Sequence, residues 1–163
     1  MIEMKVTGLT IDPFTNMPII ILKDLEEKSA LPIWIGLIEA SAIATELEKI
    51  KLARPMTHDL IKNVFTLINI NVKKVEVNDL KDNTFFARIY LNLGDKEFII
   101  DSRPSDAIAV ALRTQAPIFV DKQVIDKSRR IDLSQEGEGE KGKQKWSEIL
   151  ENLSPEDFGK YKM

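Results

Sequence analysis

Hydrophobic and polar positions alternate along residues 3–11, the two-residue repeat that is typical of a half-buried strand. Asp12-Pro13 ends this run, and a continuous apolar run follows at 18–22, where we expect a buried strand. The residues between the two runs predict a hairpin turn. A third short strand is predicted at 31–36, so the chain should open with three strands.

Apolar residues then recur at spacings of three and four, which predicts two helices. The first spans 37–53, and Arg54-Pro55 should end it because a residue before proline is pushed out of the helical region. Thr57 suits the N-cap of the second helix, and the apolar residues between 60 and 68 would give that helix one wide apolar face.

The second half of the chain predicts three more strands, a third helix and a last short strand. Pro104 suits the first turn of the third helix, which runs to about Thr114 and is apolar on nearly every side, so it should lie centrally. The tight connection at Gly94-Asp95 indicates an antiparallel pair. The predicted strands cover 72–77, 85–93, 97–101 and 117–120, with a turn at 78–83.

The order of these elements predicts an α+β fold, a mixed, mainly antiparallel sheet with three main helices. We assign residues 1–133 to one domain and residues 134–145, which are rich in glycine and charge, to a flexible linker. A short amphipathic helix alone would be unstable, so the one predicted within 146–163 should dock on this body, on a neighbouring subunit or on another protein. Four apolar residues at helical spacing predict that helix: Trp146, Ile149, Leu150 and Leu153.

Composition narrows the class of protein further. The hydrophobic share of 44% and charged share of 30% are those of an ordinary globular chain, and the absence of cysteine excludes disulfides and thiolate chemistry. No secretory leader and no apolar run of the roughly 20 residues needed to cross a bilayer are present, so we expect a cytoplasmic protein without a membrane partner. The net charge of −3 provides no long-range basic field, so any phosphate binding must be local.

Two Arg-Pro elements stand where helices should begin and hold the main candidate chemistry. They are residues 54–59, Arg-Pro-Met-Thr-His-Asp, and residues 101–106, Asp-Ser-Arg-Pro-Ser-Asp. Each brings a guanidinium, a carboxylate and a hydroxyl to a helix N-terminus, where free backbone N–H groups favour anions. If both elements face one cleft, they could hold a phosphate and move a proton beside it.

The first element contains His58, the single histidine of the chain. Because histidine changes charge near neutral pH, His58 is a candidate general acid or base, with Asp59 as its catalytic partner. Arg54 and Thr57 are candidate phosphate ligands. The structural alternative is that His58, at the border of the apolar helix face, is a packed and hydrogen-bonded side chain.

The second element offers Arg103 and Ser105 as phosphate ligands and Asp106 as a catalytic carboxylate. Asp101 and Asp106, with Glu39 at the start of the first helix, could hold Mg²⁺ in an oxygen-rich site. The structural alternative is that an acid in the first turn stabilises its helix through the dipole, by about 0.3–1 kcal/mol, and that an Arg–Asp pair locks a loop.

Three ordered motifs resemble the bifunctional nuclease domain of bacteria and plants. They are the strand-to-helix segment 31–40 and the elements at 54–60 and 101–109, and the strand at 117–120 is similar to the closing strand of that family. The resemblance extends over residues 3–125. It implies a single α+β domain, often oligomeric, with some members credited with cleaving both RNA and DNA.

The residues and the resemblance together predict a phosphodiesterase that acts on RNA and single-stranded DNA as a homo-oligomer, a dimer or larger. Its arginines would hold the scissile phosphate and its histidine would transfer the proton, with Mg²⁺ as a possible cofactor. The alternative is a non-enzymatic oligomeric module whose arginines grip a phosphorylated ligand or an acidic segment of a partner. The acidic net charge and the lack of aromatic residues interleaved with Lys and Arg favour this alternative.

Overall fold

The computed structural model describes residues 1–135, which form seven strands and four helices. In chain order these are β1 (Ile2–Ile11), β2 (Pro18–Asp24), β3 (Ala30–Trp34), α1 (Leu37–Leu47), α2 (Thr57–Leu67), β4 (Asn71–Lys81), β5 (Thr84–Leu93), β6 (Lys96–Ser102), α3 (Pro104–Thr114), β7 (Ile118–Val120) and α4 (Lys122–Gln135). Within these residues no helix has the length and apolar character needed to cross a bilayer.

The seven strands form one sheet in the order β3-β2-β1-β7-β4-β5-β6. Strands β1 to β3 and strands β4 to β6 are each antiparallel. The short strand β7 joins these halves, pairing antiparallel with β1 and parallel with β4. The prediction of a mixed, mainly antiparallel sheet in an α+β fold is therefore confirmed.

The core lies between this sheet and the helices that cross it. In β2 the residues from Ile19 to Leu22 are at most 1% exposed, as the continuous apolar run predicted. In α3 the residues from Ala107 to Ala111 are also at most 1% exposed, since α3 packs against α1, α2, β4 and β5. The central placement of α3 was predicted from its apolar sequence and is confirmed.

Helix α1 ends at Leu47, so the prediction that it continues to residue 53 was wrong. Lys49 adopts a left-handed backbone conformation, with φ of 53°, just past the helix end. The Lys49 N–H then donates to the Glu46 carbonyl at 3.1 Å and the Ile50 N–H to the Thr45 carbonyl at 3.0 Å. These two bonds close the last turn in a Schellman arrangement, so the helix ends well before the proline.

Helix α2 has Met56 rather than Thr57 at its N-cap, so that prediction was also wrong. The Met56 N–H donates to Asp59 Oδ2 at 3.0 Å. The carboxylate of the third helical residue thus accepts the hydrogen bond of the N-cap backbone N–H. The wide apolar face is buried only in part. Phe65 packs against the core, whereas Leu67 is 81% exposed.

Strand β4 runs through most of the segment that was predicted as a turn. It ends at Lys81, and the turn consists of Asp82 and Asn83, both with positive φ, of 50° and 58°. Two irregularities in the pairing of β4 with β5, between Val72 and Lys74 and between Val77 and Asp79, interrupt the regular alternation. The alternation of apolar and polar residues that predicted the strand therefore ends at residue 77, although β4 itself continues to Lys81.

Helix α4 was not predicted. It contacts both β4 and β3, and its residues Val124 and Ile125 are at most 3% exposed. The helix ends at Gln135, two residues inside the predicted linker at 134–145. The rest of that linker and the amphipathic helix predicted within 146–163 lie outside the described residues.

Candidate active site

The start of α3 places a guanidinium and a carboxylate in one pair. Arg103 is the N-cap in an extended conformation, Pro104 is the first helical residue, and Asp106 is the third. Arg103 Nε donates to Asp106 Oδ2 at 2.8 Å and Nη2 donates to Oδ1 at 3.3 Å. The two nitrogens of one guanidinium thus hold both oxygens of one carboxylate, a geometry that fixes its orientation.

His58 at the start of α2 contacts the same carboxylate. Its Nε2 lies 2.9 Å from Asp106 Oδ1, and the residue is only 9% exposed. Burial raises the pKa of Asp106, but the hydrogen bonds from Arg103 and His58 outweigh it and hold that pKa below its ordinary value. The structure therefore brings the two Arg-Pro elements together at one carboxylate.

A second, more deeply buried ion pair lies beside this one. The Arg113 side chain is 1% exposed, and its Nε donates to Asp59 Oδ1 at 2.7 Å. The two remaining nitrogens donate to the carbonyls of Ala109 at 3.0 Å and Ala42 at 2.9 Å. One arginine thus ties α1, α2 and α3 together.

Both carboxylate oxygens of Asp59 are engaged, one by Arg113 and the other by the Met56 N–H. Burial raises the pKa of Asp59, but these two hydrogen bonds outweigh it and lower that pKa. Asp59 is therefore held as an ion that positions the start of α2. Arg113 was missed as a site residue; its signal was a spacing of seven from Asp106, two helical turns on the same side.

Glu39 in the first turn of α1 completes the cluster. Its Oε1 accepts a hydrogen bond from Arg103 Nη1 at 2.7 Å. A hydrogen bond from its own backbone N–H, then the one from Arg103, lower the pKa of Glu39. Its carboxylate folds back over Gly36, where a Cβ atom would lie 2.1 Å from Oε2. This folded position therefore depends on the glycine at the N-cap of α1.

Three predicted site residues stay outside the cluster. The side chains of Arg54 and Thr57 are exposed and form no hydrogen bond or ion pair with residues 1–129, the part of the chain whose side chains the structure describes. Asp101 lies on β6 opposite Arg88 of β5 and is also exposed. The sequence placed these residues near the right helix starts, but the fold turns them toward solvent.

The acidic residues do not form a metal site of their own. Among residues 1–129, whose side chains the structure describes, no group of three or more His, Asp or Glu side chains is placed to hold a metal ion. The carboxylates of Glu39 and Asp106 both face Arg103, and this guanidinium takes the place that a cation would occupy between them. These two carboxylates therefore do not fit Mg²⁺. A Mg²⁺ cofactor for the chain as a whole stays a prediction.

A cavity of about 260 Å³ opens beside Arg103. The starts of α1 and α3 both reach it, through Gly36 and Glu39 on one side and Arg103 and Ser105 on the other. Ser105 is 6% exposed, and its hydroxyl forms no hydrogen bond within the described part of the chain. The cavity thus offers an anion one guanidinium, one hydroxyl and the N-terminus of α3. The N-terminus of α1 is already covered by the Glu39 carboxylate, which opposes an anion there.

The cluster as a whole is short of positive charge. Its three carboxylates, on Glu39, Asp59 and Asp106, face two guanidinium groups, on Arg103 and Arg113. It therefore carries one net negative charge when His58 is neutral and none when His58 is protonated.

The sequence of this chain is similar to several known proteins. A sequence model of the bifunctional nuclease domain matches residues 20–132. A Mycobacterium tuberculosis relative, itself an uncharacterized protein, is 34% identical over 162 residues, which are 96% of this chain and 97% of the relative. Bifunctional nuclease 2 of Arabidopsis thaliana is 32% identical over 107 residues, 63% of this chain and 32% of the relative. Bifunctional nuclease 1 of Oryza sativa subsp. indica is 30% identical over 110 residues, with 64% and 33% covered.

Proposed function

This chain belongs to the bifunctional nuclease domain family, and we propose that it hydrolyses phosphodiester bonds in RNA and single-stranded DNA. The plant relatives that are named as nucleases match it over about a third of their length. The observation that carries the proposal is the contact of His58 Nε2 with Asp106 Oδ1 at 2.9 Å, beside an exposed arginine. In this proposal His58 is the proton-transfer group and the neighbouring Arg103 is the phosphate ligand.

His58 is the proton-transfer group. The Asp106 carboxylate accepts the hydrogen of Nε2, which leaves Nδ1 as the nitrogen that takes or gives a proton. Nδ1 forms no hydrogen bond to residues 1–129, whose side chains the structure describes. A water oxygen attacks phosphorus, its proton passes to Nδ1, and the bond from phosphorus to the leaving oxygen breaks. The leaving oxygen takes a proton from solvent water, and Nδ1 returns its proton to solvent before the next turnover. Asp106 acts through His58 and is a positioning residue.

Arg103 binds the scissile phosphate. Its side chain is 64% exposed although it bonds two carboxylates, so a phosphate can approach it from solvent. The Ser105 hydroxyl and the free N–H groups at the start of α3 add donors on the same side. Positive charge and N–H donors at this point stabilise the charge that develops on the phosphate oxygens. Arg54 and Thr57 would contact a neighbouring phosphate of the strand.

Cleavage of end-labelled RNA and single-stranded DNA by highly purified protein tests this function. We expect His58→Ala to lower the rate about 100-fold or more, because positioned general acid–base groups contribute about 10²–10⁴. Lys62→Ala, an exposed change on the same helix, is the matched control and should leave the rate unchanged. Undiminished cleavage by a His58→Ala protein with a normal melting temperature would mark a contaminating nuclease.

A binding module without catalysis is the second candidate. The guanidinium of Arg103 is already paired with Glu39 and Asp106, and the chain has a net charge of −3, both of which weaken attraction for long nucleic acids. In that case the same cavity holds a phosphorylated ligand and no strand is cut. Binding of a nucleotide without cleavage of any strand would support this candidate.

We also propose that two or more copies of the chain associate through β6. This strand lies at the edge of the sheet, and Phe98, Ile99 and Ile100 are 43–58% exposed. Native proteins cover such apolar edges, and a second copy offers the same unpaired edge in return. A cytoplasmic location stays a prediction.

The mass in solution, measured by light scattering, tests this assembly. Ile99→Lys should reduce the mass to that of one chain. Leu25→Lys, at an equally exposed apolar residue outside β6, is the matched control and should not. A wild-type protein with the mass of one chain, or an Ile99→Lys protein with unchanged mass, would overturn the proposal.

A further inference from the structure

The cavity beside Arg103 has two chemically different sides. Arg103, Ser105 and Glu39 supply the polar side. The other side is apolar and aromatic, with Trp34 at the end of β3 and Phe85 at the start of β5. A site for inorganic phosphate alone would have no use for two aromatic rings, so the lining suggests a larger ligand with a flat apolar part.

Trp34 is fixed in place by the residues around it. Its indole N–H donates to Asp12 Oδ2 at 3.0 Å, and the Phe14 N–H donates to Asp12 Oδ1 at 2.9 Å. Asp12 is itself only 6% exposed. An aromatic ring that is oriented before a ligand arrives loses little entropy on binding.

The turn between β4 and β5 brings an amide to the cavity. Asn83 has a left-handed backbone, with φ of 58°, and lines the cavity together with Thr84. Its side chain is exposed and forms no hydrogen bond with residues 1–129. An amide carries both donors and an acceptor, which is what the edge of a nucleobase requires.

Ser105 lines the cavity with its hydroxyl group. The residue is 6% exposed, and its hydroxyl forms no hydrogen bond with residues 1–129. This oxygen is not among the buried side-chain atoms that lack a partner, which are Asn78 Oδ1 and Asn92 Oδ1. The hydroxyl is therefore open to the cavity and can donate to a phosphate oxygen at Arg103.

We propose that this cavity is a subsite for one unstacked nucleotide, with the base against Trp34 and Phe85 and its edge at Asn83. The phosphate lies at Arg103 and Ser105. This inference rests on the proposed function and deepens it, because it assigns the substrate as a single strand whose bases can be turned out.

The proposed subsite adjoins the residues that we propose for catalysis. Arg103 borders the cavity and also holds Asp106, which in turn contacts His58. His58 and Asp106 do not line the cavity themselves, so Arg103 is the residue through which a phosphate bound there would adjoin the His58–Asp106 pair. The base and the reacting bond are positioned by one arginine, so binding and cleavage should respond together when Arg103 is changed.

Fluorescence of Trp34 measures this binding directly. The chain has two tryptophans, so the Trp146→Phe protein reports Trp34 alone. We expect AMP and UMP to quench its emission, with calorimetry giving the same affinity. Ribose 5-phosphate should bind about 5- to 150-fold more weakly, the loss expected when one base–aromatic stack is removed. Equal affinity for ribose 5-phosphate, or no binding of either nucleotide at millimolar concentration, would overturn the subsite.

A matched pair of variants in one turn tests the role of Asn83. Asn83→Gly keeps the left-handed turn and removes the amide, so nucleotide affinity should fall about 5- to 10-fold at an unchanged melting temperature. Asp82→Gly, with φ of 50° in the same turn and outside the cavity, should leave affinity unchanged. Equal affinities for the two variants would contradict the assignment of the base edge.

The outcomes for the subsite and for the nuclease can be separated. Nucleotide binding that weakens in Asn83→Gly, without cleavage of any strand, supports the subsite and overturns the nuclease. Cleavage of single strands by a wild-type protein that has no measurable affinity for mononucleotides supports the nuclease and overturns the subsite.

Discussion

The two Arg-Pro elements look alike in sequence, yet the fold uses them differently. Arg103 makes three hydrogen bonds to carboxylates, whereas Arg54 is exposed and makes none within residues 1–135. The acids of the two elements also differ. Asp59 and Asp106 each bind a side chain of another element, whereas Asp101 is exposed to solvent. Similar motifs therefore need not place similar residues in a site.

The position of the helix start explains this difference. In α2 the N-cap is Met56, so Pro55 precedes the helix and Arg54 lies farther out. In α3 the N-cap is Arg103 itself. When the helices are aligned on their caps, the prolines no longer match, but the acids do: Asp59 and Asp106 are each the third helical residue. The shared feature of the two elements is thus an aspartate that binds an arginine, and only in α3 is this the motif's own arginine.

Arg113→Met gives the largest expected effect, because it tests whether the partner of Asp59 matters more than the arginine of its own element. The change removes three hydrogen bonds and leaves a partly buried carboxylate unpaired. We expect the free energy of unfolding to fall by about 3 kcal/mol. Arg54→Met should stay within about 0.5 kcal/mol. Urea denaturation of both proteins measures this, and similar losses would refute the distinction.

Asp106→Asn is expected to lower stability by about 1.5–3 kcal/mol, the range for hydrogen bonds to charged groups. The loss should exceed that of His58→Ala, because Asp106 also loses Arg103. Since His58 is the single histidine of the chain, its ring nitrogen spectrum is unambiguous. Nε2 should carry the proton in the wild type, and Asp106→Asn should show a mixture of tautomers.

A merely structural Asp106 would leave that spectrum unchanged while stability falls. The rate of strand cleavage should drop in Asp106→Asn even at temperatures where the variant is fully folded. If the His58 tautomer and the cleavage rate are both unchanged in Asp106→Asn, Asp106 does not position His58 and has only a structural role.

Acid should weaken the wild type through the same carboxylates. The pKa values of Glu39, Asp59 and Asp106 are each lowered in the folded state. A lowered pKa stabilises the folded state above the unfolded pKa, and this contribution is lost as pH falls through the folded value. Melting temperatures should therefore decline below about pH 5, and less steeply for Asp59→Asn/Asp106→Asn. Parallel curves for the two proteins would contradict this origin.

The sequence predicted most elements of this fold because their patterns are local. The apolar run of β2 and the all-round apolar α3 are both buried as expected. Helix α4 was missed because most of its residues are polar and only a few, such as Val124, reach the core. The end of α1 was predicted at Arg54-Pro55 because nothing in the sequence indicates that Lys49 adopts a left-handed backbone conformation.

The site was predictable up to the point where tertiary contacts decide it. Both elements were expected to meet, and His58 does contact Asp106 across 48 residues of chain. The bridging of Arg103 to Glu39, 64 residues away, depends on how α1 docks beside α3 and could not be read from either motif. Arg113 was hidden for the same reason, since its partners come from three helices.

Gly36→Ala should give the smallest change in stability. It tests whether the Glu39 carboxylate competes with phosphate for Arg103 or orients Arg103 to bind it. The new Cβ would displace the Glu39 carboxylate, and an exposed ion pair of this kind contributes about 0–1 kcal/mol. If Glu39 occupies a place that a phosphate takes in turn, both Gly36→Ala and Glu39→Gln should bind inorganic phosphate more tightly, as measured by calorimetry. Weaker binding in both would mean that Glu39 orients Arg103 for its ligand, and the carboxylate would then belong to the binding site.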